Sequence, residues 1–207
     1  MTLAVVKLGG SSIFQPELAQ WVDALAASDQ PLVIVPGGGP FADQVRCAQK
    51  QLGFSDRAAH DMAVLAMEQF GYVLLDMCTR FSPARTAKEI SRALDCGQIP
   101  VWLPSSMVIG RPDIPASWDV TSDSLAAWLA GQLGADALLL VKQTHDFSHD
   151  DCFPDLAERG IVDPMLASML PGDINLYVAG PKDVPETHGH TLPGVRIGIH
   201  AFAEQSG

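Results

Sequence analysis

The chain has 207 residues, 47% of them hydrophobic and 18% charged, with 24 acidic against 13 basic side chains and a formal net charge of -11. Such a composition supports one sizeable core and excludes an intrinsically disordered chain. The acidic balance argues against nucleic acid as a partner, because phosphate backbones select basic faces.

Leu3–Leu8 is a β-branched apolar run that ends in glycines, and it reads as a buried strand. Pro16–Ala27 places Leu18, Trp21, Val22 and Leu25 on one helix face. Leu32–Val35 is a second buried strand, stopped by Pro36 and three glycines. Helices are expected over Phe41–Gln51, Arg57–Cys78 and Pro83–Leu94. Pro100–Leu103 and Ser106–Ile109 read as short strands flanking a turn. Asp123–Leu133 is a helix, Ala137–Val141 an apolar strand and Pro164–Leu170 a short helix. Asn175–Ala179 and Val195–Ile199 are late strands, joined by a long Pro/Gly/His-rich loop from Gly180 to Gly194. Strands alternating with helices imply one α/β domain over residues 1–207, with a mostly parallel sheet covered on both faces.

Cys47, Cys78, Cys96 and Cys152 form no CxxC pair, so they read as reduced thiols and not as a disulfide framework or zinc knuckle. No apolar run reaches membrane length and no basic leader precedes the first strand, so a cytoplasmic protein with no membrane partner is expected.

Three segments bear chemistry. Lys7 ends the first strand and is followed by Leu8, Gly9, Gly10, Ser11 and Ser12. Missing side chains let a phosphate reach backbone amides, while the ammonium, one of only five lysines in the chain, supplies a compact charge. Gly37, Gly38 and Gly39 repeat the arrangement after the second strand. Both loops fall at strand carboxyl ends, where open α/β sheets bind ligands. Either loop alone is as readily a plain turn. The third segment, Trp118-Asp119-Val120-Thr121-Ser122-Asp123, opens a helix, with Thr121 or Ser122 able to cap free amides and Asp123 favoured by the helix dipole. Neither GxxxxGK[ST] nor a well-placed GxGxxG occurs.

Lys7-Leu8-Gly9-Gly10-Ser11, Pro36-Gly37-Gly38-Gly39 and Asp119-Val120-Thr121-Ser122-Asp123, followed by Gly134-Ala135-Asp136-Ala137-Leu138-Leu139-Leu140, resemble the amino acid kinase superfamily from Met1 to about Val141. The resemblance implies a three-layer α/β/α sandwich, ATP with Mg2+ as donor, and carboxylate or phosphate acceptors. The short chain and the wording Ser117–Ser124 most resemble the branch that converts (5-aminomethylfuran-3-yl)methyl phosphate to its diphosphate in methanofuran-type cofactor synthesis. The implied catalytic residues are Lys7, on the transferring phosphoryl group, and Asp123, which orients it. Gly9, Gly10 and Ser11 would bind phosphate. Gly37, Gly38, Gly39, Asp119 and Thr121 would meet the acceptor. A phosphate acceptor needs no general base, leaving positioning and charge stabilisation to do the catalysis.

The pattern departs from the superfamily after Val141. A TDVDG-like turn is replaced by Lys142-Gln143-Thr144-His145-Asp146-Phe147, and a GGMxxK element by Gly160-Ile161-Val162-Asp163-Pro164-Met165. Lys142 or Lys182 must then supply a second cation; a solvated strand-end lysine would read the same way. A carboxylate acceptor would call for an arginine such as Arg57 or Arg111, and a protein that binds nucleotide without transfer is a third reading. His145, His149, Asp150 and Asp151, or His188 and His190, are better read as solvated loop residues than as metal ligands. Trp118 could wall a furan ring or simply pack. Met62, Leu65, Ala66 and Gln69 could face a second copy in a homo-oligomer, or the chain's own core.

Overall fold

The computed structural model describes residues 2–184 and 192–198. Its strands are β1 (Ala4–Leu8), β2 (Leu32–Pro36), β3 (Phe81–Ala84), β4 (Ile99–Trp102), β5 (Ala137–Val141), β6 (Asn175–Ala179) and β7 (Val195–Ile197). They form one sheet in the order β3-β4-β2-β1-β5-β6-β7. All neighbours are parallel except β6 and β7. Every residue of β1, β2 and β5 is buried, which is why these strands are continuous apolar runs without alternation.

The helices are α1 (Glu17–Ala26), α2 (Gly39–Leu52), α3 (Asp56–Met77), α4 (Ala87–Asp95), α5 (Ser105–Val108), α6 (Ser122–Leu133), α7 (Phe153–Glu158) and α8 (Leu166–Met169). Two cores lie on opposite faces of the sheet. Val5, Val33, Leu138 and Leu140 pack with α6, α4 and α8. Val6, Leu8, Ile34 and Leu139 pack with Trp21 and Val22 of α1 and with Phe70 and Leu74 of α3. The architecture is a three-layer α/β/α sandwich.

The register aligns the site. Leu8 of β1 stands level with Pro36 of β2 and Val141 of β5. The loops after these three adjacent strands therefore leave the sheet side by side. Strand connections run from β1 toward β2 on one side and arrive at β5 on the other, so the crevice at β1 is the topological switch point of the sheet.

Three expectations change. Ser106–Ile109 is not a strand: α5 occupies Ser105–Val108, opened by Pro104 and by Glu68, whose Oε1 accepts from the Ser105 amide at 2.8 Å. The helix expected from Pro83 starts only at Ala87, capped by Thr86, because Phe81–Ala84 pairs with β4 as the edge strand, where a proline costs no inner ladder bond. The short helix α7 was not anticipated. Ile199 and residues 185–191 of the Gly180–Gly194 loop lie outside the described residues.

Candidate active site

Side chains alternate along β1, so Lys7 points to the same face as Val5, the face covered by α6. There it meets Asp123 in the first turn of α6. Lys7 Nζ lies 2.9 Å from Asp123 Oδ1, a charge contact more than an aligned hydrogen bond, and Lys142 Nζ donates to Asp123 Oδ2. Lys7 and Asp123 are 6% and 3% exposed. Burial alone would raise the Asp123 carboxyl, but the Lys142 and Lys7 ammonium groups outweigh it and hold the acid far below the usual carboxylate range. Burial lowers Lys142, against the pull of Asp123 and with the help of the like charge on Lys7.

The start of α6 is fixed from a distance. Thr121 caps it, its hydroxyl accepting from the Asp123 amide at 3.2 Å. Asp163, itself buried, accepts through Oδ2 from the Thr121 amide (3.1 Å), the Thr121 hydroxyl (2.7 Å) and the Ser124 amide (3.1 Å). Its Oδ1 accepts from the Ser124 hydroxyl. These bonds hold the residues on both sides of Asp123. Sequence reasoning missed this role, although Asp163 stands in the segment that replaces the GGMxxK element.

The two glycine loops pack backbone on backbone. A Cβ on Gly10 would lie 2.1 Å from the Gly39 amide nitrogen, and one on Gly37 would lie 2.3 Å from the Gly10 nitrogen. Gly39 also has φ +50°. The Gly9 amide donates to Val141 O and the Gly37 amide to Leu8 O, so these two N–H groups are taken by the sheet. The amides of Gly10 and Ser11 open a 3-10 turn over Gly10–Phe14, and those of Gly38 and Gly39 face the opening of α2, where helix amides lack intrahelical partners.

A cavity of about 440 Å³ adjoins Lys7 on the β2 side. Lys7, Gly10, Ser11, Gly38, Gly39 and Thr121 form its polar end. Ala63, Val64, Met67, Val120 and Leu125 form an apolar wall, and Asp43, Arg46, His60 and Trp118 complete it. The Arg46 guanidinium lies 4.3 Å over the Trp118 ring, and Trp118 Nε1 donates to Gln49 Oε1 at 2.7 Å. Among the other candidates, Asp119 is exposed and bonded to Ser117, and does not line the cavity. Lys182 is exposed, whereas Lys142 is engaged with Asp123. Arg57 pairs with Asp61, Arg111 grips Asp113 at 2.8 Å through two nitrogens, and neither lines the cavity. Among the described residues no three His, Cys, Asp or Glu converge as metal ligands; His188 and His190 lie outside those residues.

Residues 2–152 match the amino acid kinase family. The chain belongs to that family. It is 28% identical over 138 residues to the [5-(aminomethyl)furan-3-yl]methyl phosphate kinase of Methanocaldococcus jannaschii, a match covering 66% of this chain and 63% of that relative. The fold resembles that of uridylate kinase from Archaeoglobus fulgidus at a TM-score of 0.65 and 16% identity, over 96% of this chain and 100% of the other. It also resembles UMP kinase from Bacillus anthracis at 0.66 and 18%, over 97% of both chains. The family match takes in Lys7, both glycine loops, Asp123 and Lys142, and stops short of Asp163.

Proposed function

We propose that the protein is an ATP-dependent kinase that phosphorylates a small phosphomonoester, [5-(aminomethyl)furan-3-yl]methyl phosphate, to the diphosphate. Family membership and the name of the M. jannaschii relative support the activity and the acceptor. The observation that carries the reading is the Lys7–Asp123 pair at the polar end of the cavity, with loop amides beside it and an apolar wall beyond. Such a cavity takes an anion at one end and a flat, weakly polar ring along its length.

In this reading the acceptor phosphate rests against the amides of Gly38 and Gly39 at the opening of α2. The nucleotide lies on the β5 side of Lys7, where Lys142 and the amides of Gly10 and Ser11 meet its phosphates. Gln143 Nε2, buried with no partner among the described residues, is a further donor one residue beyond Lys142. This donor set of ammonium groups and amides fits a polyphosphate. With no converging carboxylates among the described residues, Mg2+ would be held by nucleotide oxygens and water, and would neutralise developing charge. Lys7 bears on the transferring group, and Asp123 fixes both lysines, Lys7 by charge contact at Oδ1 and Lys142 by accepting its hydrogen bond at Oδ2. The acceptor is already an anion, so no side chain need remove a proton. One phosphate oxygen bonds the γ-phosphorus, the bond to the β–γ bridging oxygen breaks, and ADP leaves.

A carboxylate acceptor is disfavoured by the arginines. Arg57 and Arg111 are paired with acids of their own outside the cavity, and Arg46, which does line it, is paired with Asp43. A homo-oligomer belongs to the same proposal, supported by the exposed stripe of Met62, Leu65, Tyr72, Val73 and Met77 on α3; Ala66 is buried in the chain's own core. Loss of the oligomer in sedimentation of Leu65→Glu tests that face. Steady-state ADP release tests the function: turnover with the furan phosphate and none with N-acylated amino acids is expected. The reverse preference would move the assignment to carboxylates, and ATP binding without turnover on either would move it to a regulatory protein.

A further inference from the structure

α2 and α3 form an antiparallel pair whose two ends differ. At one end Gly71 of α3 packs against Pro36, beside the glycine loops. At the other, Gln49 near the end of α2 donates to Phe54 O at 3.2 Å and to Asp56 Oδ1 at 2.8 Å at the start of α3. Met67, Val64, Ala63 and His60 make a single stripe of α3 along the cavity. Met67 is nearer the glycine loops, and His60 lies seven residues, about 10 Å, farther along the axis. His60 therefore stands at the end of the cavity remote from the phosphate-binding amides, with Arg46 and Trp118.

His60 is an unusual side chain to find there. It is 6% exposed, it lines the cavity, and no described residue hydrogen-bonds its ring. Its ring nitrogens are not among the fully buried unpartnered atoms, so they keep accessible surface where the ring lines the cavity, and a polar group of a ligand there replaces the water they meet. Burial, outweighing the neighbouring Asp61 and reinforced by Arg57, lowers its pKa, so the ring is uncharged at neutral pH and offers one nitrogen lone pair. The acid on this part of the wall is Asp43, which bonds Arg46 through Oδ1 at 3.0 Å. That acid is already paired with Arg46, so the directional partner left for an amine at this end is His60.

We propose that His60 accepts a hydrogen bond from an amine on the acceptor, at the end opposite its phosphate, and so selects amine-bearing phosphomonoesters. This rests on the phosphomonoester reading above and adds the group that the far end of the cavity recognises.

The test is calorimetric binding of two probes, [5-(aminomethyl)furan-3-yl]methyl phosphate and furan-3-ylmethyl phosphate, to the wild type, His60→Phe and His60→Gln. Ring resonances of His60 are followed by NMR with labelled histidine. The wild type should prefer the amine probe by roughly tenfold or more, a charged hydrogen bond's worth. The amine probe alone should shift the His60 ring resonances. His60→Phe should bind both probes alike at the affinity of the amine-free one, and His60→Gln, which keeps an acceptor oxygen, should restore part of the preference. A wild-type preference that survives in both variants overturns the role of His60 and leaves the function standing. Failure of the wild type to bind either furan overturns the acceptor reading and this inference with it.

Discussion

Lys7 and Asp123 meet 2.9 Å apart with side chains only 8% and 4% exposed, one at the end of β1 and the other in the first turn of α6. The acid is held ionised here by the two lysines beside it, so the buried pair is charge-balanced. Lys7→Ala should lower kcat by roughly a hundred- to a thousandfold, the cost of removing one group that stabilises transition-state charge. The acceptor KM should change little, as steady-state kinetics would read. A rise in KM alone would mean that Lys7 grips the acceptor in its ground state.

Asp163 holds both flanks of Asp123 through Thr121 and Ser124. Asp163→Asn replaces an acceptor oxygen by a donor among groups that all donate to it. It should cost roughly 1–3 kcal/mol in urea denaturation, the price of buried donors left unsatisfied. It should also reduce kcat more than KM, because the displaced helix start carries Asp123 with it.

Gly10→Ala should be far more damaging than its size suggests, since the new methyl would lie 2.1 Å from the Gly39 nitrogen and force the two loops apart. A weaker acceptor KM and a lower Tm are expected together. Gly172→Ala is the control: nothing lies within 4 Å of its Cβ, and its Tm should stay near that of the wild type.

Acid should weaken the fold through His60. Its pKa is lower in the folded protein than in the unfolded chain, so the unfolded state binds more protons once pH falls below the ordinary histidine value of about 6.5. Stability therefore declines from there down to the folded pKa and then levels off. Thermal melts from pH 7.5 to 5.5 should show this decline in the wild type and a flatter profile in His60→Gln.

The buried strands and the Lys7 and glycine segments were legible because each is local: an apolar run, then residues whose type alone suits a phosphate. Asp123 was legible as a helix opener. Lys142 was one of two candidates with Lys182, and its contact with Asp123 depends on β5 lying beside β1. Asp163 was not legible, since its bonds reach back to Thr121 and Ser124 and leave no periodic trace. His60 was hidden in α3, where the exposed residues Met62 and Leu65 drew the eye to the opposite face. The edge strand β3 was obscured by Pro83, which reads as a helix start unless its pairing with Val101 is known.

Phosphorus NMR of the protein with Mg-ATP and [5-(aminomethyl)furan-3-yl]methyl phosphate tests phosphoryl transfer to a phosphomonoester most directly. Paired diphosphate resonances should grow as the acceptor monoester signal falls, with ADP in equal amount, and should be absent with Lys7→Ala. An unchanged acceptor signal in the presence of bound ATP would contradict the account.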